Sequence, residues 1–273
     1  MSIFQRLGRL DPRVFFTLLI FAVAIPIISP LGLPVPITQP VLDAYNYIEN
    51  LPEGSVVLYS MSVAGGGWDD VGGGVIATMQ HLFSRPVKII IFSYFADSVP
   101  WVEYTLNNID KHGKKYGEDY VWLGYLAGGE AMLAGLASSI RSITTTDAYG
   151  TPLDNLPMMK DIDNIHDIDL IVHAEISTIF EAYLRQFQAP YGKPIILICP
   201  SMMVTMYFPY YPNQAIGIIG GVRGSAEYEL LIHRPGMASV STDTLSTTHI
   251  LIIVMIIMGN IGYYFERKIR RGE

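Results

Sequence analysis

The sequence predicts an α/β fold: an open, mainly parallel, Rossmann-like sheet flanked by helices, with a transmembrane helix near each end of the chain. Three observations predict it. Short apolar runs rich in β-branched residues alternate with longer helical stretches; two uncharged segments have the length of a membrane span; and basic residues collect just outside those segments. The 273 residues are 50% hydrophobic and 16% charged, with a mean hydropathy of +0.32. Globular domains carry about 25% charged residues, so apolar sequence is left over for lipid.

In chain order, residues 1–13 form a basic tail containing Arg6, Arg9 and Arg13. The first transmembrane helix is placed at 14–33, opening with the uncharged Val14–Pro30; Pro26 within it is better tolerated in lipid than in a soluble helix. The second is 249–265 (HILIIVMIIMGNIGYYF), followed by a basic tail, 266–273, with Arg267, Lys268, Arg270 and Arg271. Each segment is close to the minimum of about 17 residues for a span. Positive charge beside a span is retained in the cytoplasm, so both termini are expected there and 36–248 outside, as an extracytoplasmic domain of a cell-membrane protein. Read instead as a cleavable signal peptide, with AVA at 22–24 as the small-residue site, the first segment would still export the domain.

Between the tails stand 11 basic and 22 acidic residues, a net charge of −11. That balance argues against nucleic acid as a partner. The single cysteine, Cys199, lies in the apolar run IILIC and reads as a buried small hydrophobe, so the domain relies on its core rather than on a disulfide.

Six strands are expected: 55–60, 87–95, 120–125, 168–176, 194–200 and 215–221. They are mostly rich in β-branched residues and uninterrupted by charge along their centres, a pattern that suits strands covered on both faces of a parallel sheet. Helices are expected at 40–50, 71–84, 99–113, 129–141, 178–188, 201–208 and 223–232, and the alternation implies right-handed crossovers. Residues 142–167 contain no clear element, and an irregular stretch of that length is more often functional than idle.

Ligands of open α/β sheets bind beyond the carboxyl ends of the strands. Three glycine-rich connections are expected there: MSVAGGGWDDVGGG, LAGGEAM and GGVRGSAEYE. From them come the candidate ligand-binding or interface residues: Gly65, Gly66, Gly67, Asp69 and Asp70; Gly128, Gly129 and Glu130; and Gly220, Gly221, Arg223 and Glu227. Glycine permits close backbone approach, and the helix that follows offers free N–H groups to a small anionic ligand. The competing reading is that the glycines serve only tight turns and helix packing. Arg223 could meet a carboxylate, or simply pair with Glu227 four residues on.

Motifs of higher specificity are missing. Gly65, Gly67 and Gly72 do not make G-x-G-x-x-G, and there is no Walker phosphate loop, so no nucleotide cofactor is implied. Ser62 and Ser201 follow strands but neither sits in G-x-S-x-G, leaving catalytic residues unassigned. In the acidic run 161–169, Asp161, Asp163, His166 and Asp167 lack the pattern of a calcium loop, so no metal site is assigned. His173 reads as a core histidine. The aromatic cluster MYFPYYP (206–212) reads as a contact surface. In the second span, Asn260 between Gly259 and Gly262 invites a neighbouring helix.

The segments EDYVWLGYLAGGEAM, TDAYGTPLDNLPMM, YFPYYP and GIIGGVRGSAEYE resemble a family of membrane-anchored prokaryotic α/β proteins. The resemblance implies the two-span architecture and supplies no activity or site residue. The expected function is a membrane-anchored binding or assembly module with a glycine-lined crevice. Its expected partners are membrane lipid, further copies of itself or other membrane subunits, and a small anion. The alternative is a hydrolase acting in the same crevice, with Ser62, Asp69, Asp70 or Glu130 aimed into it.

Overall fold

A computed structural model of the chain describes residues 11–270. Most of the basic tail at 1–13, and the last three residues of that at 266–273, lie outside the described residues. The chain forms two compact units, one of Val35–Ala238 and one drawn from residues 11–34 and 239–270.

The larger unit is an α/β fold around a six-stranded parallel sheet. Its strands are β1 (Val56–Ser62), β2 (Lys88–Ser93), β3 (Tyr120–Tyr125), β4 (Leu170–Glu175), β5 (Ile195–Cys199) and β6 (Gly217–Gly220). All six expected strands are present, β3 with the expected bounds and the others with ends displaced by one or two residues. Their order is β3-β2-β1-β4-β5-β6, every neighbouring pair parallel. β1 pairs with both β2 and β4, so the chain runs outward from β1 in one direction, then returns to fill the other side. The β1/β4 boundary is therefore the topological switch point, where crossovers leave toward opposite faces, the position at which open sheets of this kind receive ligands.

Each face carries its own apolar layer. On one lie α1 (Gln39–Glu49), α2 (Gly65–Ser84), α3 (Val99–Asn108) and α4 (Gly221–Leu231), packed on Val57, Tyr59, Ile89, Ile91, Val172 and Ile196. On the other lie α5 (Glu130–Ser138) and the helical run 180–191, here α6, packed on Leu58, Phe92, Ile171 and Leu197. α6 is not uniform: Phe180–Tyr183 is α-helical and Leu184–Gln188 makes a π turn. The segment expected as one helix over 201–208 is broken into a 3₁₀ turn, a single α turn α7 (Val204–Tyr207) and another 3₁₀ turn.

Two expectations are corrected here. VAGGGWDDVGGG is not a loop that precedes a helix: α2 starts at Gly65, and all but two of the twelve residues are helical. Tertiary packing overrides glycine's poor propensity, because a side chain has no room at these positions. A Cβ on Gly74 would lie 2.8 Å from Ser225 Oγ of α4, and one on Gly73 2.6 Å from the Ala238 Cβ. The 142–167 stretch, expected to lack any element, carries short 3₁₀ turns and covers the sheet. Its short 3₁₀ turns bury Leu153, Leu156, Met158, Met159, Ile162 and Ile165. Arg141 pins it, donating to Asp154, Asp163 and the Ile162 and Met159 carbonyls.

The smaller unit holds α8 (Pro12–Ile28) and most of α9 (Met237–Arg270). α9 starts twelve residues before the expected span at 249. Its Met237–Phe265 portion, 29 residues of hydropathy 1.8 and 6% buried, is long and apolar enough to cross a membrane. Among the described residues it is the one helix that meets that test; α8, at 17 residues, is apolar but shorter. The two helices are tied together. Asp243, 2% exposed, accepts the backbone N–H groups of Leu31, Gly32 and Leu33 at 2.8–3.0 Å, and the Thr247 hydroxyl donates to the Ala22 carbonyl.

Candidate functional site

The predicted residues lie along the carboxyl edge of the sheet, but after β1, β3 and β6. β3 and β6 are its two outermost strands, so the three glycine-rich connections do not converge on one crevice. Most of the predicted residues hold the protein to itself. Asp70, on α2, accepts from the Ser201 N–H and hydroxyl after β5 and from the Val222 N–H after β6, at 2.9–3.0 Å. Two connections are thereby clamped to α2 by one carboxylate. Gly221 makes the clamp possible: its φ is +57°, and a Cβ there would fall 1.7 Å from Ser201 Oγ. Glu227 is 1% exposed; one oxygen accepts from Arg223 Nε at 3.1 Å, the other from the Thr38 N–H and hydroxyl. Arg223 is thus the intrahelical partner of Glu227.

Beyond β3, Gly128 and Gly129 take φ of +127° and +62° and turn the chain into α5. Glu130 then meets Arg185 bidentately at 2.8–2.9 Å and Gln186 at 2.9 Å, both on the π turn of α6. These donors hold the Glu130 carboxyl down to about 2. Gly65, Gly66 and Asp69 are exposed. Gly67 is filled from across the switch point, where a Cβ would fall 2.4 Å from Ile176.

The aromatic stretch 206–212 is mixed rather than a uniform contact surface. Tyr207 is buried, Tyr210 and Tyr211 bond Glu181 and Asp43, and only Met206 and Phe208 expose large apolar surface. Of the acidic run 161–169, Asp163 bonds Ser139 and Arg141, while Asp167 closes a capping box with Asn164. No metal-holding cluster is found among the described residues. Asn260 donates to the Ile256 carbonyl of its own helix.

A cleft of about 540 Å³ opens at the end of β3, lined by Glu103, Tyr125, Thr144 and Asp147 among others. Its two carboxylates are already engaged: Asp147 accepts from Tyr149 N–H, Thr151 N–H and the Tyr116 hydroxyl, and Glu103 accepts from the Tyr149 hydroxyl.

The switch point differs. On adjoining strand ends, Ser60 pairs in register with His173, and Ser62 with Glu175. Two-residue alternation points all four side chains to one face, and each is 0% exposed. His173 Nε2 lies 3.3 Å from Glu175 Oε2, which also accepts the Ile179 N–H at 3.0 Å. The His173 ring stacks on Tyr183, with centroids 3.7 Å apart, and the Tyr183 hydroxyl bonds Ser60. Four buried atoms here make no hydrogen bond of normal geometry, Ser62 Oγ, His173 Nδ1, Glu175 Oε1 and Ser177 Oγ, although the Tyr183 hydroxyl lies close enough to Ser62, and the Tyr207 hydroxyl to Glu175, to interact with them. Buried polar atoms nearly always find partners, so four together in one spot are exceptional.

The electrostatics there are acidic. Burial, then Glu175 and Asp70, push the Cys199 thiol up to about 12. Burial foremost keeps the Tyr183 and Tyr207 phenols protonated far above their ordinary range, with Glu175 adding to the shift in both. Above the cluster runs the segment 176–179, fastened by Ile179 N–H to Glu175 and by the Tyr207 hydroxyl to the Ser177 carbonyl at 3.3 Å. His173, taken from sequence as a core histidine, is buried but only half partnered. Glu175 was missed; its signal is a charge at the end of an apolar strand, two residues after a histidine on the same face.

Comparison with protein-family models, curated proteins and solved structures returned no match.

Proposed function

We propose that this chain is a membrane-anchored recognition module that binds a small polar molecule at the β1/β4 switch point. The observation that carries the reading is the set of four buried polar atoms that make no hydrogen bond of normal geometry at the place where open parallel sheets receive ligands. Leaving such atoms empty costs about 1–3 kcal/mol each, a cost a protein retains where a ligand offsets it.

In this reading α8 and α9 are the two spans. Val14, Phe16, Ile20, Phe21, Ile253 and Ile256 are exposed on them, and lipid would cover such side chains. The flanking basic residues hold both termini in the cytoplasm and Val35–Ala238 outside it. The exposed Met202, Met206 and Phe208 support assembly with further copies or other membrane subunits. The hydrolase alternative has the His173–Glu175 pair in its favour, but Ser62 is not bonded to His173 and the group is sealed from solvent. The expected anion has the N-terminus of α2 in its favour and the Glu175 and Asp70 carboxylates against it.

Native mass spectrometry of the full chain in mild detergent tests the reading. A discrete additional mass on the wild type that disappears in Ser62→Ala is the expected result. A higher oligomer without additional mass would make the chain a structural component and remove the ligand.

A further inference from the structure

We infer that the switch point receives a hydroxyl-bearing group, that of a polyol or sugar. This rests on the reading of the switch point as a ligand site and adds the chemistry of the ligand. The four unpartnered atoms form a set of mixed character. The hydroxyls of Ser62 and Ser177 both donate and accept, and Glu175 Oε1 accepts when ionised. His173 Nδ1 accepts when Nε2 carries the proton toward Glu175, and donates otherwise.

Three kinds of polar group can be set against this arrangement. A phosphate or carboxylate brings mainly acceptors together with negative charge, and enters next to Glu175, with Asp70 also acting on the nearby Cys199. An ammonium brings donors only, which suit Glu175 but leave His173 unmatched whenever Nδ1 carries the proton. A hydroxyl does both from one atom. Adjacent hydroxyls on one small molecule can therefore meet Glu175 Oε1, Ser62 and Ser177 together, whichever nitrogen of His173 holds its proton. Tyr183 and Tyr207 remain phenols and so add further hydroxyls to the wall without adding charge.

Entry requires the segment 176–179 to lift, breaking the Ile179 N–H bond to Glu175 and the Tyr207 bond to Ser177. A hydroxyl arriving at Glu175 replaces the first of these with a bond of the same kind. Water is the smallest molecule with this chemistry and is the rival occupant.

Isothermal titration calorimetry on the full chain in mild detergent decides between them, with ribose and myo-inositol as hydroxyl probes and choline and phosphate as controls. Binding of a hydroxyl probe is expected, weakened about tenfold or more in Ser62→Ala and in Glu175→Gln. Near-UV circular dichroism checks each variant; if Glu175→Gln does not fold, Ser62→Ala carries the test. Absence of binding by both hydroxyl probes overturns the inference. Should choline or phosphate bind instead, and be lost in the same variants, the site stands and only its chemistry is wrong. Should no probe bind, the switch point holds water alone and the ligand site falls as well.

Discussion

Glu130 and Glu175 stand on the same edge of the sheet and are treated oppositely by their surroundings. Glu130 is met by a guanidinium and an amide, and its carboxyl is lowered from 4.5 to about 2. A group depressed in the folded state adds stability above its unfolded pKa and loses it as pH falls through the folded value. The Glu130–Arg185 pair therefore supports the fold above about pH 4.5 and ceases to do so toward pH 2. The thermal-midpoint difference between wild type and Glu130→Gln should be largest near neutrality and shrink steadily below pH 4.5; a constant difference would mean the pair does not hold. Glu175, by contrast, has one oxygen engaged and one without a partner in the interior. Glu130 spends its charge on closing a loop, whereas Glu175 keeps an acceptor in reserve.

At the scale of elements, α2 explains the glycine run. Six glycines in one helix are unfavourable by about 1 kcal/mol each relative to alanine. What offsets this is contact: Ala238 lies too close to Gly73, and Ser225 of α4 with Ile219 and Ile198 of the sheet too close to Gly74, for a side chain to fit. Gly74→Ala should destabilise the protein by about 1–3 kcal/mol through overpacking, against which the gain in helix propensity is the smaller effect. Gly66 is exposed, with nothing within 4 Å of a built Cβ. Gly66→Ala should be neutral or stabilising by up to about 1 kcal/mol. Urea denaturation of the pair separates the two roles, and equal effects would contradict the packing account. The periodicity of the helical stretches was legible, but the start of α2 was not, because glycine signals a loop until its neighbours in space are known.

At the scale of the whole molecule, the chain pairs an α/β unit with an apolar helical one, and the proposed orientation across a membrane is open to a direct test. Cys199 is fully buried, so the native chain is a blank for thiol reagents. A cysteine at the exposed Ser138, on α5, should react with a membrane-impermeant maleimide on intact cells. One at Ser2 should react only after lysis. The reverse pattern would place the α/β unit in the cytoplasm. Strand positions, the parallel sheet and the apolar terminal helix follow from local pattern alone: uninterrupted β-branched runs, their alternation with helices, and stretches too apolar for water. The strand order β3-β2-β1-β4-β5-β6, and with it the switch point, came only from the tertiary structure. So did the meeting of Ser62 with Glu175, which stand 113 positions apart and face each other through strand register. Sequence pattern reports what each segment buries; which polar atoms are buried together, and which of them lack a partner, is a property of distances between segments.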